Sequence, residues 1–112
     1  MKTIYYKQIP MTQEIRQVAE ILHSEGREVF CLPAKLVNNL YWIEKENDGK
    51  VLIYSICPSA SEYQLRVHYA DKCERVAVAP ARELLRLRYR DGDRYYVHRG
   101  HFFWGDWIKL EF

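Results

Sequence analysis

Leu40-Tyr41-Trp42-Ile43-Glu44-Lys45-Glu46, then Asn47-Asp48-Gly49, then Lys50-Val51-Leu52-Ile53-Tyr54-Ser55-Ile56: this stretch decides the fold class of the chain. Both arms are rich in the β-branched and aromatic residues that suit a pleated surface. Asp-Gly between them supplies the positive φ angles that a tight hairpin turn requires. The segment therefore predicts an antiparallel hairpin. Its second arm carries apolar side chains at odd and even positions alike, which places it centrally in a sheet covered on both faces.

Working outward toward the N-terminus, residues 28–32 read as a buried strand that Pro33 closes, and residues 33–39 as one or two helical turns. Ile15, Val18, Ala19 and Leu22 recur at i, i+3, i+4 and i+7, the apolar stripe of an amphipathic helix. Thr12 is its expected N-cap, Glu14 favours the positive end of the helix dipole, and Gly26 suits a left-handed cap at the other end. Residues 3–7 predict a first strand, stopped by Pro10.

Toward the C-terminus, Pro58-Ser59-Ala60-Ser61 reads as a loop, and residues 64–69 as a strand with Leu65, Val67 and Tyr69 on one face and Gln64, Arg66 and His68 on the other. Residues 75–79 predict another strand, and residues 80–84 a turn or short helix. Leu85, Leu87 and Tyr89 then alternate with Arg86, Arg88 and Arg90 at strand period. Asp91-Gly92-Asp93 would turn that strand back into residues 94–99. Residues 107–112 predict a last strand, with Trp107, Lys109 and Glu111 opposed to Ile108, Leu110 and Phe112. The sum is an α+β domain spanning residues 1–112: one N-terminal amphipathic helix packed as a single layer on an antiparallel sheet of about six to eight short strands.

Composition agrees. With 112 residues, 48% of them hydrophobic and 29% charged, the chain has room for one core and too much apolar content for disorder. No apolar run approaches the ~20 residues that span a bilayer, and the N-terminus lacks the apolar region of a secretory signal. Three widely spaced cysteines, Cys31, Cys57 and Cys73, suit reduced thiols and a cytoplasmic setting better than a disulfide framework. The net charge of +2 is small for a nucleic-acid-binding domain. It is nonetheless unevenly spread: eight of the ten arginines lie beyond residue 63.

Aromatic residues, at 14%, are the compositional excess, and they concentrate with those arginines between Tyr89 and Phe112. Arg86, Arg88 and Arg90 would share a sheet face with Arg94, Tyr96 and His98, with Arg66 and His68 nearby. Trp104 and Trp107 belong to an aromatic run, with Phe102, Phe103 and Phe112, that one inward face can hardly absorb. Guanidinium groups among aromatic rings suit a protein interface. The expected function is therefore a non-enzymatic interaction domain that binds a protein partner or itself through Arg86, Arg88, Arg90, Arg94, Tyr96, His98, Trp104 and Trp107, with a C-terminal pairing edge or subunit interface. The same composition also fits single-stranded nucleic acid, or a solvated sheet face whose arginines pair with Glu83, Asp91, Asp93 and Glu111. An enzyme centred on Cys57, His68 or His98 is a third alternative and needs a pocket where those groups converge. His98, His101 and Asp106 carry metal-ligand chemistry, but i and i+3 positions on a strand diverge, so no metal is expected. No motif for a cofactor or an activated nucleophile occurs.

Overall fold

In the computed structural model, which describes residues 2–31, 39–47, 50–69, 72–87, 97–98 and 107–112, the central hairpin forms as β3 (Leu40–Asn47) and β4 (Lys50–Ser59). Asn47 pairs with Lys50, which leaves two residues for the turn, both outside the described set. The other strands are β1 (Lys2–Tyr5), β2 (Val29–Cys31), β5 (Glu62–Tyr69), β6 (Lys72–Ala79), β7 (Val97–His98) and β8 (Ile108–Glu111); the helices are α1 (Gln13–Ser24) and α2 (Ala81–Leu87). The sheet runs β1-β8-β2-β3-β4-β5-β6, and β7 pairs with β4. The architecture is α+β as expected. It departs in two respects: a second helix joins the helical layer, and β1 runs parallel to β8, so the sheet is mixed.

Helix α1 follows its sequence signals closely. The Thr12 hydroxyl accepts from the Ile15 amide at 3.3 Å. At the other end Gly26 adopts φ +82°. The Arg27 amide then donates to the Leu22 carbonyl at 3.1 Å and the Gly26 amide to the His23 carbonyl at 2.9 Å, the two bonds of a Schellman cap. Ile15, Val18, Ala19 and Leu22 are all fully buried.

The strand expected from Leu85 onward is instead the end of α2. Ala81, Leu84 and Leu85 are the buried positions, spaced i, i+3 and i+4, and Leu87 packs against the same core. Two periodicities overlap in this segment, and burial against α1 and the sheet selects the helical one. The Pro80 carbonyl opens the helix by accepting from Glu83 and Leu84. Residues 85–87 of the expected arm are helical, residues 88–96 with the turn expected at 91–93 lie outside the described residues, and β7 pairs with Lys50 and Val51 of β4. Residues 58–61 also differ from the expected loop. Pro58 and Ser59 still pair with Tyr63 and Glu62, so the turn contracts to Ala60 and Ser61, with Ala60 in the left-handed region at φ 52°. The helical turns expected over residues 33–39 fall almost wholly outside the described residues.

Strand β8 lies inside the sheet, between β1 and β2. It is therefore not the pairing edge that the aromatic C-terminus suggested. Its alternation is as expected: Ile108 and Leu110 are buried beneath the helices, while Lys109 and Glu111 point the other way. Central β4 is covered on both faces, with Leu52, Tyr54 and Ile56 toward the helices and Ile53 and Ser55 away from them. No helix among the described residues is long and apolar enough to cross a membrane.

Candidate functional site

The sheet face turned away from α1 and α2 divides into two regions. At the β8-β2-β3 end, register places Phe30, Tyr41 and Trp107 together. The Trp107 ring meets Phe30 edge-on at 5.7 Å and Tyr41 edge-on at 4.9 Å between centroids. Phe30, Tyr41 and Trp107 are 2%, 7% and 3% exposed. These rings form a second apolar cluster, separate from the one beneath the helices.

At the β5-β6 end the same face carries polar side chains, with Val78 exposed opposite Gln64. Ser55 lies opposite Arg66, and Arg66 lies opposite Arg75. A β-bulge produces the second pairing. Leu65 pairs with Ala77, then Arg66 pairs with Arg75, so Val76 is the extra residue on β6. Bulges of this kind re-aim side chains at sheet edges. Arg66 is half-buried and Arg75 exposed. The Gln64 amide holds Arg66 in place: its Oε1 accepts from Arg66 Nε at 2.9 Å, and its Nε2 donates to the Pro58 carbonyl at 3.3 Å. His68 Nε2 and Ser55 Oγ lie 2.7 Å apart, and the His68 ring leans on Tyr41 at 5.4 Å. His68 thus links the aromatic cluster to Ser55, which lies opposite Arg66.

Beneath the helices is a different polar group. Glu44, at the irregularity between Ile43 and Lys45, is buried. Its carboxylate pairs with Arg27 at 2.9 Å and accepts from Trp42 Nε1 at 2.5 Å, while Arg27 also donates to the Glu44 carbonyl. The Schellman cap positions Arg27, and Arg27 compensates a carboxylate that would otherwise be costly to bury. This network ties α1 to β3. Cys31 is fully enclosed, and burial pushes its thiol up to about 11, which leaves it protonated and unreactive at neutral pH. Tyr6 donates to Glu20 at 2.6 Å, and that bond, with burial and the Glu20 charge, pushes its hydroxyl up to about 12.

Of the residues expected to form a binding face, Arg86 is exposed on α2 and pairs with Glu83 at 3.4 Å, so it lies on the helical layer instead of the sheet. Trp107 is on the sheet but buried. Both are corrections to an exposed Arg/Trp strand face. His98 is in β7, with Lys50 as its partner. Arg88, Arg90, Arg94, Tyr96 and Trp104 lie outside the described residues, as do His101 and Asp106 of the candidate metal set. Sequence reading did place Arg66 and His68 on one face, but it missed Arg75, because nothing in residues 72–79 announces the bulge.

Of the groups required by the enzymatic alternative, Cys57 pairs with Gln64 and His68 with Ile53, four positions apart along β4, and the His98 side chain lies outside those described. Cys57 is half-buried on β4, whereas the His68 ring nitrogen engages Ser55. Ser55 is itself only 2% exposed, out of reach of a substrate. A cleft of about 450 Å³ opens where the end of α1 meets β2 and β8, but its lining charges, Arg27 and Lys109 against Glu28 and Glu111, cancel. Among the described residues no three His, Cys, Asp or Glu side chains cluster to hold a metal. No protein-family model, curated protein or solved structure matches the chain.

Proposed function

We propose that this chain is a non-enzymatic interaction domain that binds an acidic protein partner through the β5-β6 half of its outer sheet face. The observation that supports this reading is Arg66 directly opposite Arg75, beside Gln64 and His68. Arginine is favoured at interfaces because its planar guanidinium matches the carboxylates of a partner. A two-fold assembly through this face would set the arginines of one copy against those of the other, so a second copy is the poorer occupant. Single-stranded nucleic acid requires rings open to stacking, and among the described residues of this face Phe30, Tyr41 and Trp107 are buried.

The test is affinity purification from the cells that make the protein, comparing wild type with the Arg66→Glu/Arg75→Glu double variant. A protein retained by wild type and lost from a folded double variant is the expected result. Identical retained proteins in both samples would refute the reading.

A further inference from the structure

We propose that the outer edge of β6 takes up a short extended segment of a protein partner as an added strand, with an acidic side chain of that segment on Arg75 and an apolar one on Val78. The inference rests on the partner reading and deepens it by naming how the partner is held. Among the described residues β6 is the last strand of the sheet, paired with β5 on one side and with nothing on the other. It is eight residues long, Lys72–Ala79. An edge strand turns the N–H and C=O groups of alternate residues outward, a ready template for a further strand.

The side chains along this edge select the occupant. Register puts Cys73, Arg75 and Val78 on the outer face, opposite His68, Arg66 and Gln64. Ala77 and Ala79, opposite Leu65 and Tyr63, belong to the helix side and pack against the core. Val78 is 43% exposed, one of two large apolar side chains so open among the described residues. Arg75 is exposed as well, and has no hydrogen bond or ion pair among the described residues. An added strand therefore meets an apolar contact and a guanidinium on one face, and its own alternation presents the matching side chains there. A second copy of β6 is the poorer occupant, because its outer-face positions, Cys73, Arg75 and Val78, include no acid to meet Arg75. The bulge at Val76 also shortens the regular run, which suits a short segment better than long edge-to-edge pairing.

The experiment is selection of displayed random octapeptides on the folded full chain, followed by amide NMR of the chain with the enriched peptides. Enriched sequences are expected to alternate β-branched residues with Asp or Glu, and to shift and protect amides within residues 75–79. Arg75→Glu should weaken them by about tenfold or more and turn a repeat selection toward Lys and Arg. Val78→Lys, which places a charge on the edge, should also weaken them while leaving the backbone spectrum folded. Failure to enrich any peptide would overturn the proposal, as would enriched peptides that act away from β6 or bind Arg75→Glu unchanged. The two proposals fail separately. Peptide pairing at β6 without a captured partner removes the partner reading alone, and a partner lost from the double variant without any enriched peptide removes edge pairing alone.

Discussion

The two faces of the sheet are closed by different means. The helix-side face is sealed by the stripe of α1 and by Ala81, Leu84 and Leu85 of α2, packed on Trp42, Tyr54, Ile56 and Leu65. The outer face has an apolar patch at one end, Phe30, Tyr41, Ile53 and Trp107, and an arginine pair at the other. Stability is thus built on one face and along half of the second, and the remaining half carries half-buried and exposed polar side chains. Aromatic content alone does not separate these regions; burial does.

The largest effect expected is on the helix-side face. Trp42→Ala removes a fully buried ring and the donor to the Glu44 carboxylate, and should cost about 4 kcal/mol in chemical denaturation. Trp107→Ala tests whether the outer patch is a second core. If it is, the loss is about 3 kcal/mol; a ring lying on a solvated face would cost no more than about 0.5 kcal/mol. A small loss for Trp107→Ala would erase the contrast within the outer face.

The next effect concerns pH and belongs to the helix-side core. Cys31 and Tyr6 both have their protons held more tightly when folded, the first from 9.0 to about 11 and the second from 10.0 to about 12. Between the unfolded and folded values the native chain binds more protons than the unfolded one, so stability falls as pH rises. It is fully present below about pH 9, falls as pH rises from there, and is lost by about pH 11 for Cys31 and about pH 12 for Tyr6. The Cys31 share is on the order of 2 kcal/mol. Cys31→Ala should flatten the decline between pH 9 and 11 in denaturation midpoints and leave the part due to Tyr6. An unchanged slope would show that the thiol is not held in a sealed core.

How much of this was legible in the sequence follows from which signals are local. The Thr12 cap, the 15-18-19-22 stripe and the Gly26 terminator are each set within a few residues, and α1 forms where they place it. The 40–56 hairpin was legible because Asp-Gly fixes its register, and apolar residues at both parities placed β4 at the sheet centre. The failures involve competition or distance. Residues 81–87 satisfy helix and strand periods at once, and only the surface offered by α1 and the sheet resolves them. The turn at Ala60 lacks the Asn or Gly that usually marks a left-handed position, so nothing local distinguishes the paired Pro58 and Ser59 from a loop. The candidate site depended on distance most of all. Arg66 and His68 announce themselves by alternation, but Arg75 joins them through one extra residue in β6, which no pattern in residues 72–79 encodes. Trp107 sits at an outward position of its strand, and the rings it meets there, Phe30 and Tyr41, lie more than sixty residues earlier.

The smallest effect separates recognition from stability most cleanly. If the Arg66–Arg75 opposition is a cost carried for binding, relieving it should stabilise the fold. Arg75→Glu converts a like-charged cross-strand pair into an opposite-charged one at an exposed edge position. The expected gain is about 0.5 kcal/mol at low salt, shrinking as ionic strength rises, because exposed pairs are screened. The Trp107 region should not respond, since no charge is exchanged there, and Arg86→Glu on α2 should lose stability by breaking its pairing with Glu83. Thermal denaturation of the two variants across a salt series measures both signs. Were Arg75→Glu to destabilise instead, the outer face would be a surface tuned for the folded chain itself, and the arginine pair would lose its claim to a partner.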